Sequence, residues 1–480
     1  MNASRLAIAL LAVSASLLPL TSAGALSVPT ATQLTLPTPN NGLNQGYLPF
    51  QSCTTVGNCT VSGIYVTTHG AAAGVLDSEV KGVWKPAITV TPPPGYQAAK
   101  GVTMDGLTCP ATGSCVALGQ YNTPTSQLPF VESQVKGVWH RGTALVLPAN
   151  AVGTGQAATP HAISCASTGN CTVVGTYTTK TSGFATQGFF SSEVHGVWHH
   201  ALELTLPAGA NADPLVALAQ VSCWSAGNCV VVGSYVGAND VSLDVVVPEI
   251  AGKWKSAQAV GLPGNASAFA GAQFSEVSCT PSGSCMAVGT YNTASGAVQP
   301  LVALGTGAQW TRALEVHLPT SAAKNPQTLI YGFQGASCAA PGDCALGGQF
   351  IDTAGHYQGF FDDVVNGNVQ GAQVLRLPAG AVQAGHNGGV VSISCPAIGT
   401  CFAGAAYLNA ANKYEALIVH ETKNVWQLGA TISLPNGATS VGVAGGVYSV
   451  QCFSTSSCTA TGSYQSSASR YDGFALTTAA

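Results

Sequence analysis

From the first cysteine onward, short runs rich in Val, Leu, Thr and Tyr alternate apolar and polar positions with period two, broken by Gly, Asn and Pro. That periodicity predicts strands and turns rather than helices. The runs repeat as a set. A cysteine loop leads into an alternating segment that ends in Gly-x-Tyr, as in Cys171 to Tyr177, Cys229 to Tyr235 and Cys285 to Tyr291. A second block follows, such as Ser192-Glu193-Val194-His195-Gly196-Val197-Trp198, and then a third, such as Leu202-Glu203-Leu204-Thr205-Leu206-Pro207. Each unit therefore offers four short β segments.

The sixteen cysteines set the period. They fall into pairs with five residues between: Cys53 and Cys59, Cys109 and Cys115, Cys165 and Cys171, Cys223 and Cys229, Cys279 and Cys285, Cys338 and Cys344, Cys395 and Cys401, Cys452 and Cys458. Successive first cysteines are 56, 56, 58, 56, 59, 57 and 57 residues apart. A loop of this length carrying a late Gly suits a hairpin with a residue at positive φ, and flanking cysteines would face each other across it at disulfide distance. Zinc binding would need closer spacing and four converging donors. The pattern thus predicts eight hairpin disulfides, as expected of an exported chain.

The chain ends suggest how the repeats close. The eighth unit stops after its third strand, Tyr471 to Thr477, and lacks the Leu-x-Leu-Pro segment; that segment stands at the other end, Gln33-Leu34-Thr35-Leu36-Pro37. A strand that crosses from start to finish removes the open edge of a ring. The expected fold class is all-β: an eight-bladed β-propeller of four-stranded antiparallel blades, one disulfide each, with the N-terminal strand completing the last blade. Before it, Arg5, the apolar stretch Leu6 to Leu20 and Ala23-Gly24-Ala25 read as a secretory signal peptide over residues 1–25, leaving 26–480 as a single propeller domain. No later stretch is long enough to span a membrane.

Charge changes the picture by its scarcity. Asp, Glu, Lys and Arg make up 7% of the chain, against about a quarter in ordinary soluble proteins. With a net charge of −4, such a surface has little field for nucleic acid or anionic lipid. Few carboxylates also leave little to titrate, so tolerance of acid is expected.

The Ser-Cys-x5-Cys hairpin, the Gly-x-Tyr strand and the Gly-x-Trp turn together resemble the secreted propeller repeat proteins of actinobacteria and related bacteria. The resemblance spans nearly all of the chain after the signal. It implies architecture and a secreted location, but no particular ligand. Asp-box sialidases depart from it: Ser78-Glu79-Val80-Lys81-Gly82-Val83-Trp84 has neither their spacing nor their Asp. After the signal the arginines are Arg141, Arg312, Arg376 and Arg470, the first three at expected outer positions, which leaves no cluster to clamp a sialic carboxylate.

Repetition sorts the candidates. Glu79, Glu193, Glu249 and Glu421 each precede a turn Trp by five residues and are expected to be turn or surface residues. Trp84, Trp139, Trp198, Trp254, Trp310 and Trp426 share one register and should pack between blades. Trp224 stands alone inside a cysteine loop, as a contact for sugar or protein or as a loop anchor. Four residues before the first cysteine lie Asp105, His161, Ser275, Gln334 and Tyr448, with Glu276 one further on. Asp105, His161 and Glu276 are the catalytic candidates; Trp224, Gln334 and Tyr448 are the ligand-binding ones. If their strand is innermost, they approach the central channel, where they could do acid–base work, hold a cation or simply be solvated. His386, Asp213 and Lys324 sit in connections between blades and are weaker candidates. Asn58-Cys59-Thr60 and Asn170-Cys171-Thr172 match a glycosylation sequon, but the Asn is needed by the turn.

No phosphate loop, His-Glu-x-x-His or nucleophile elbow occurs. The leading expectation is a secreted, non-catalytic binding or surface-structural propeller that presents loops to polysaccharide, cell wall or protein at the cell exterior. It would have no resident cofactor, a channel-bound cation being the one exception the residues allow. The alternative is a glycoside hydrolase or lyase using channel carboxylates such as Asp105 and Glu276.

Overall fold

The computed structural model describes residues 30–37, 46–180, 185–267, 271–323, 335–382, 389–441, 446–467 and 470–479. The proposed signal peptide, Gln334, Lys324 and His386 lie outside the described residues. Eight antiparallel sheets follow one another along the chain, each ordered outer, third, second and inner strand, and are numbered here as blades 1 to 8 by their cysteine pairs. The inner strand comes first in each repeat, as in Val102–Ala111, Ala158–Ser167 and Ala217–Ser225. Inner strands touch the inner strands of both neighbours around the ring, including that of blade 8 against blade 1. In blade 8 the outer strand is Thr32–Gln33, paired with Ala475 and Phe474. The N-terminal segment does complete the last blade.

The core is not one mass but a set of slabs between blades. Each hydrophobic cluster draws on two adjacent repeats: Phe190 and Val174 of blade 3 pack with Val221, Val231 and Val247 of blade 4, and Leu34 and Ala475 of blade 8 pack with Leu48 and Val61 of blade 1. The turn tryptophans join these slabs as expected. Trp254 stacks on Phe190 at 4.1 Å between ring centroids, and Trp426 on Phe361 at 3.8 Å.

The repeat motifs each have a mechanical reason. All eight disulfides form, with Cα atoms 3.9 to 4.1 Å apart, the close spacing of a non-hydrogen-bonded pair in an antiparallel ladder. Such a pair points its backbone N–H and C=O away from its partner, so the first cysteine turns both toward the free edge of the inner strand. There the residue before the neighbouring cysteine meets them. The hydroxyls of Ser52, Ser164, Ser222, Ser278, Ser337 and Ser394 accept the N–H of Cys109, Cys223, Cys279, Cys338, Cys395 and Cys452, each one blade on, at 2.8 to 3.1 Å. At ring closure the longer Gln451 replaces Ser: its Oε1 accepts the Cys53 N–H at 2.7 Å and its Nε2 donates to the Cys53 carbonyl at 2.9 Å. Thr108 holds the position between blades 2 and 3, where the described residues show no such bond.

In the Gly-x-Tyr motif, a Cβ on Gly175 would run into the Thr159 carbonyl of the inner strand. The Tyr is buried, and its hydroxyl tethers the outer connection, as Tyr177 does with Asn150 and Tyr291 with Asn265. The Gly-x-Trp block divides differently from its sequence reading. His195 and Gly196 both have positive φ, the type I′ geometry of a two-residue hairpin, so Val197–Trp198 belongs to the outer strand. That strand is interrupted and resumes at Leu202–Glu203.

The junction bonds give a stability prediction. Ser222→Ala should lower unfolding free energy by about 1 kcal/mol, and Gln451→Ala, which leaves both a buried N–H and a buried carbonyl unpaired, by about 2 to 3 kcal/mol. Guanidinium unfolding followed by tryptophan fluorescence measures both; equal effects would refute a special role for the closing amide.

Candidate binding clefts and the channel wall

In seven of the eight blades the inner strand carries a register shift at or beside the position four residues before its first cysteine; in the other blade that position lies outside the described residues. The pairing register shifts between Met104 and Gly106, Pro160 and Ala162, Phe274 and Glu276, and Val447 and Ser449. Asp105, His161, Ser275 and Tyr448 are therefore the bulged residues, unpaired in the ladder and re-aimed by the local kink. Their side chains bond within their own blades. Asp105 Oδ2 accepts from Thr103 Oγ1 at 3.2 Å and Gln120 Nε2 at 3.5 Å, His161 Nε2 meets Thr176 Oγ1 at 3.2 Å, and Tyr448 meets Ser463 Oγ at 2.6 Å. Tyr448 also lies edge-on to Tyr47 of blade 1.

Glu276 accepts from Gln220 of blade 4 at 3.4 Å. Burial pushes Asp105 up to about 6 and Glu276 up to about 7, and desolvation lowers His161 even though its side chain reaches solvent. Among the described residues no hydrogen bond or ion pair joins Asp105, His161 and Glu276 to one another, and no cluster of three or more His, Cys, Asp or Glu is placed to hold a metal.

Trp224 is half-buried, with its indole against Gly283 in the next blade's cysteine loop, the position of a loop anchor. Asn58 and Asn170 serve their turns: their Oδ1 atoms accept the N–H of Lys81 and His195. Asp213 ties its connection by accepting the N–H of Thr186.

The glutamates before the turn tryptophans overturn the surface reading. Glu79, Glu193, Glu249 and Glu421 are buried, Glu421 to 1% exposure. The register explains it: each stands directly opposite the tryptophan of its own blade, as Glu249 does Trp254. In blades 3 and 4 the second cysteine pairs with the glutamate from the other side. The resulting row of Cys, Cys, Glu and Trp faces the preceding blade. The pattern missed by sequence reading is this cross-strand row, because a turn residue and a residue two positions before the turn differ only by knowing where the turn begins.

Where two blades meet on the disulfide face, these rows line clefts. One of about 440 Å³ between blades 3 and 4 is lined by Glu193, Glu249, Trp254, His195 and His199. One of about 760 Å³ between blades 1 and 2 is lined by Glu79, Trp139, Lys85 and Lys136. Glu79 Oε2, Glu193 Oε2 and Trp254 Nε1 are buried without a partner. Between blades 6 and 7 the matching space shrinks to about 10 Å³. There Asp363, where blade 3 has Ser192, accepts the Trp426 indole N–H at 3.3 Å, and the tryptophan is drawn shut at 2% exposure.

No family model and no curated protein matches the sequence. Among solved structures, the Dos1 propeller is 11% identical over 94% of this chain and 95% of its own, with a TM-score of 0.51. The Hadza microbial sialidase Hz136 is 10% identical over 84% and 73%, TM-score 0.40. The six-bladed fungal lectin from Aleuria aurantia is 12% identical over 72% and 100%, TM-score 0.32. The likeness to Dos1 bears on the fold alone: this chain is an eight-bladed β-propeller with one Cys-x5-Cys disulfide per blade. Among the described residues no helix is long and apolar enough to cross a membrane.

The buried carboxyls carry a pH dependence. Desolvation raises Asp77, Glu132, Glu249 and Glu276 to about 7 and Glu421 to about 8, the last helped by neighbouring Asp363. Only two ion pairs form among the described residues, His356 with Asp352 and Arg470 with Asp472, so the burial goes largely unopposed, with Arg141 countering it in part at Glu132. The folded state then holds more protons than the unfolded chain between the unfolded carboxyl range near 4 and these raised values. Stability is full below that window and falls as pH rises through it. Melting temperature should therefore be higher at about pH 5 than at about pH 8; a melting temperature that rises with pH over this range would contradict it.

Proposed function

We propose that this chain is a secreted, non-catalytic binding propeller that takes polysaccharide in the clefts between its blades. The observation that carries the reading is the pair of open clefts, each setting a tryptophan beside polar side chains, Trp254 with Glu249 and Ser192 in one and Trp139 with Gln134 and Ser78 in the other. A sugar ring offers an apolar C–H face to an indole and hydroxyls to an unsatisfied donor or acceptor. The carboxyl of Glu249, raised by burial to about 7, can present either a donor or an acceptor to such hydroxyls. The disulfide in every blade and the signal-like residues 1–25 support export. Asp105, His161 and Glu276, each bonded to its own local partner, support a channel wall better than a catalytic pair.

A glycan array on the purified protein tests the reading. Binding should fall at least about tenfold in Glu249→Ala and in His199→Ala, an exposed cleft residue whose loss should leave melting unchanged, and should survive in the Asp105→Ala, His161→Ala double variant. Loss of binding in the double variant alone would move the site to the channel. Turnover of any bound glycan, abolished by Asp105→Ala, would replace binding with catalysis.

A further inference from the structure

The scarce charges of this protein are not spread evenly. Six of its ten lysines stand in the turns after the third strands or beside the tryptophans that follow: Lys81, Lys85, Lys136, Lys253, Lys255 and Lys423. All six side chains are exposed. None of their ammonium groups is engaged in an ion pair or side-chain hydrogen bond among the described residues. These turns share a face with the cysteine hairpins, because the N–H of the turn glycine bonds the hairpin glycine carbonyl, as Gly82 does Gly57 and Gly252 does Gly227.

Over blades 1 to 4 the cysteine loops and these turns contain no Asp or Glu at all, and the glutamates nearby are buried beneath the tryptophans. Blade 3 has His195, His199 and His200 in the corresponding places. The opposite face differs: there Lys100, Lys180 and Lys413 are interspersed with Asp213, Asp240 and Asp352. One half of the disulfide face is thus an arc of unneutralised cations on a chain of net charge −4, and both open clefts lie within it.

We infer that the clefts over blades 1 to 4 bind an acidic polysaccharide, its carboxylates meeting the rim lysines and its rings seated against the cleft tryptophans. This inference rests on the cleft reading and adds the charge class of the ligand. Cations unpaired in the free protein are available to a ligand without breaking an existing bond, and they attract an extended polyanion over the whole arc. Duplex nucleic acid fits the arc poorly. It is gripped best by planar guanidinium forks on its phosphates and bases, and the arc is built from lysines. The one arginine beside it, Arg141, donates to the Pro92 carbonyl.

Affinity electrophoresis of the full chain in polygalacturonate, in neutral pullulan and against duplex DNA tests the inference. Polygalacturonate should bind at least about tenfold more tightly than pullulan, and its binding should weaken about tenfold between about 0.05 and about 0.5 M NaCl. The Lys85→Ala, Lys136→Ala pair and the Lys253→Ala, Lys255→Ala pair should each weaken it several-fold, while Lys413→Ala on the opposite face leaves it unchanged. Equal binding of polygalacturonate and pullulan, insensitive to the lysine pairs, would overturn the charge class and leave the cleft reading standing. Binding of neither polymer would overturn both. Tighter binding of DNA than of polygalacturonate would overturn the polysaccharide assignment.

Discussion

The hydrogen bond from a first-cysteine N–H to the residue preceding the neighbouring blade's cysteine, formed at seven of the eight junctions among the described residues, is the constraint on which this ring depends. An inner strand has a bare edge, and the narrow cysteine pair turns a donor and an acceptor toward it. A serine hydroxyl one blade back satisfies the donor at six junctions, and the Gln451 amide satisfies donor and acceptor together at the seventh. The disulfide and the serine are therefore parts of one device. The bridge fixes the strand pair in the register that leaves the edge groups exposed, and the hydroxyl uses those groups to bind one blade to the next.

From that fixed inner ring the rest follows outward. Among the described residues, the bulge four residues before the first cysteine gives each blade one unpaired side chain that does not repeat in type, as Asp105, His161, Ser275 and Tyr448 show. The slabs between blades are apolar at mid-radius and open at the disulfide end. There the Cys, Cys, Glu and Trp row leaves clefts whose size is set by one residue of the neighbouring blade. Ser192 leaves the cleft between blades 3 and 4 open; Asp363, one acceptor longer in reach, draws Trp426 over its counterpart. The same row thus buries glutamates without cations, which is why stability and acidity are linked in this fold.

Much of the architecture was legible because it is periodic. The cysteine spacing announced eight hairpins, the text shared by Gln33–Pro37 with the other repeats announced closure, and the common register of the tryptophans placed them between blades. What stayed hidden has a physical reason in each case. The burial of Glu193 depends on Gly196 and His195 forming the turn, so that Trp198 folds back over it. The serine before most first cysteines reads as part of the repeated hairpin text, but its hydrogen bond is invisible until its partner one blade away is seen. Asp105 and His161 stand out by their place in the repeat, but only the bulge explains why that place varies. Whether cleft or channel meets a ligand is written in neither periodicity nor register.

The Gln451 contact has a consequence for how the ring is made. Every other junction joins neighbours roughly one repeat apart, whereas this one spans 398 residues. Blades that emerge in order can dock on their predecessors as each hairpin oxidises, in the nearest-neighbour manner of repeat proteins. The seam between first and last blades must wait until the chain is whole, with the greatest loop-closure cost. A glutamine with two bonds, where serine has one, stands at the step of assembly that local order helps least.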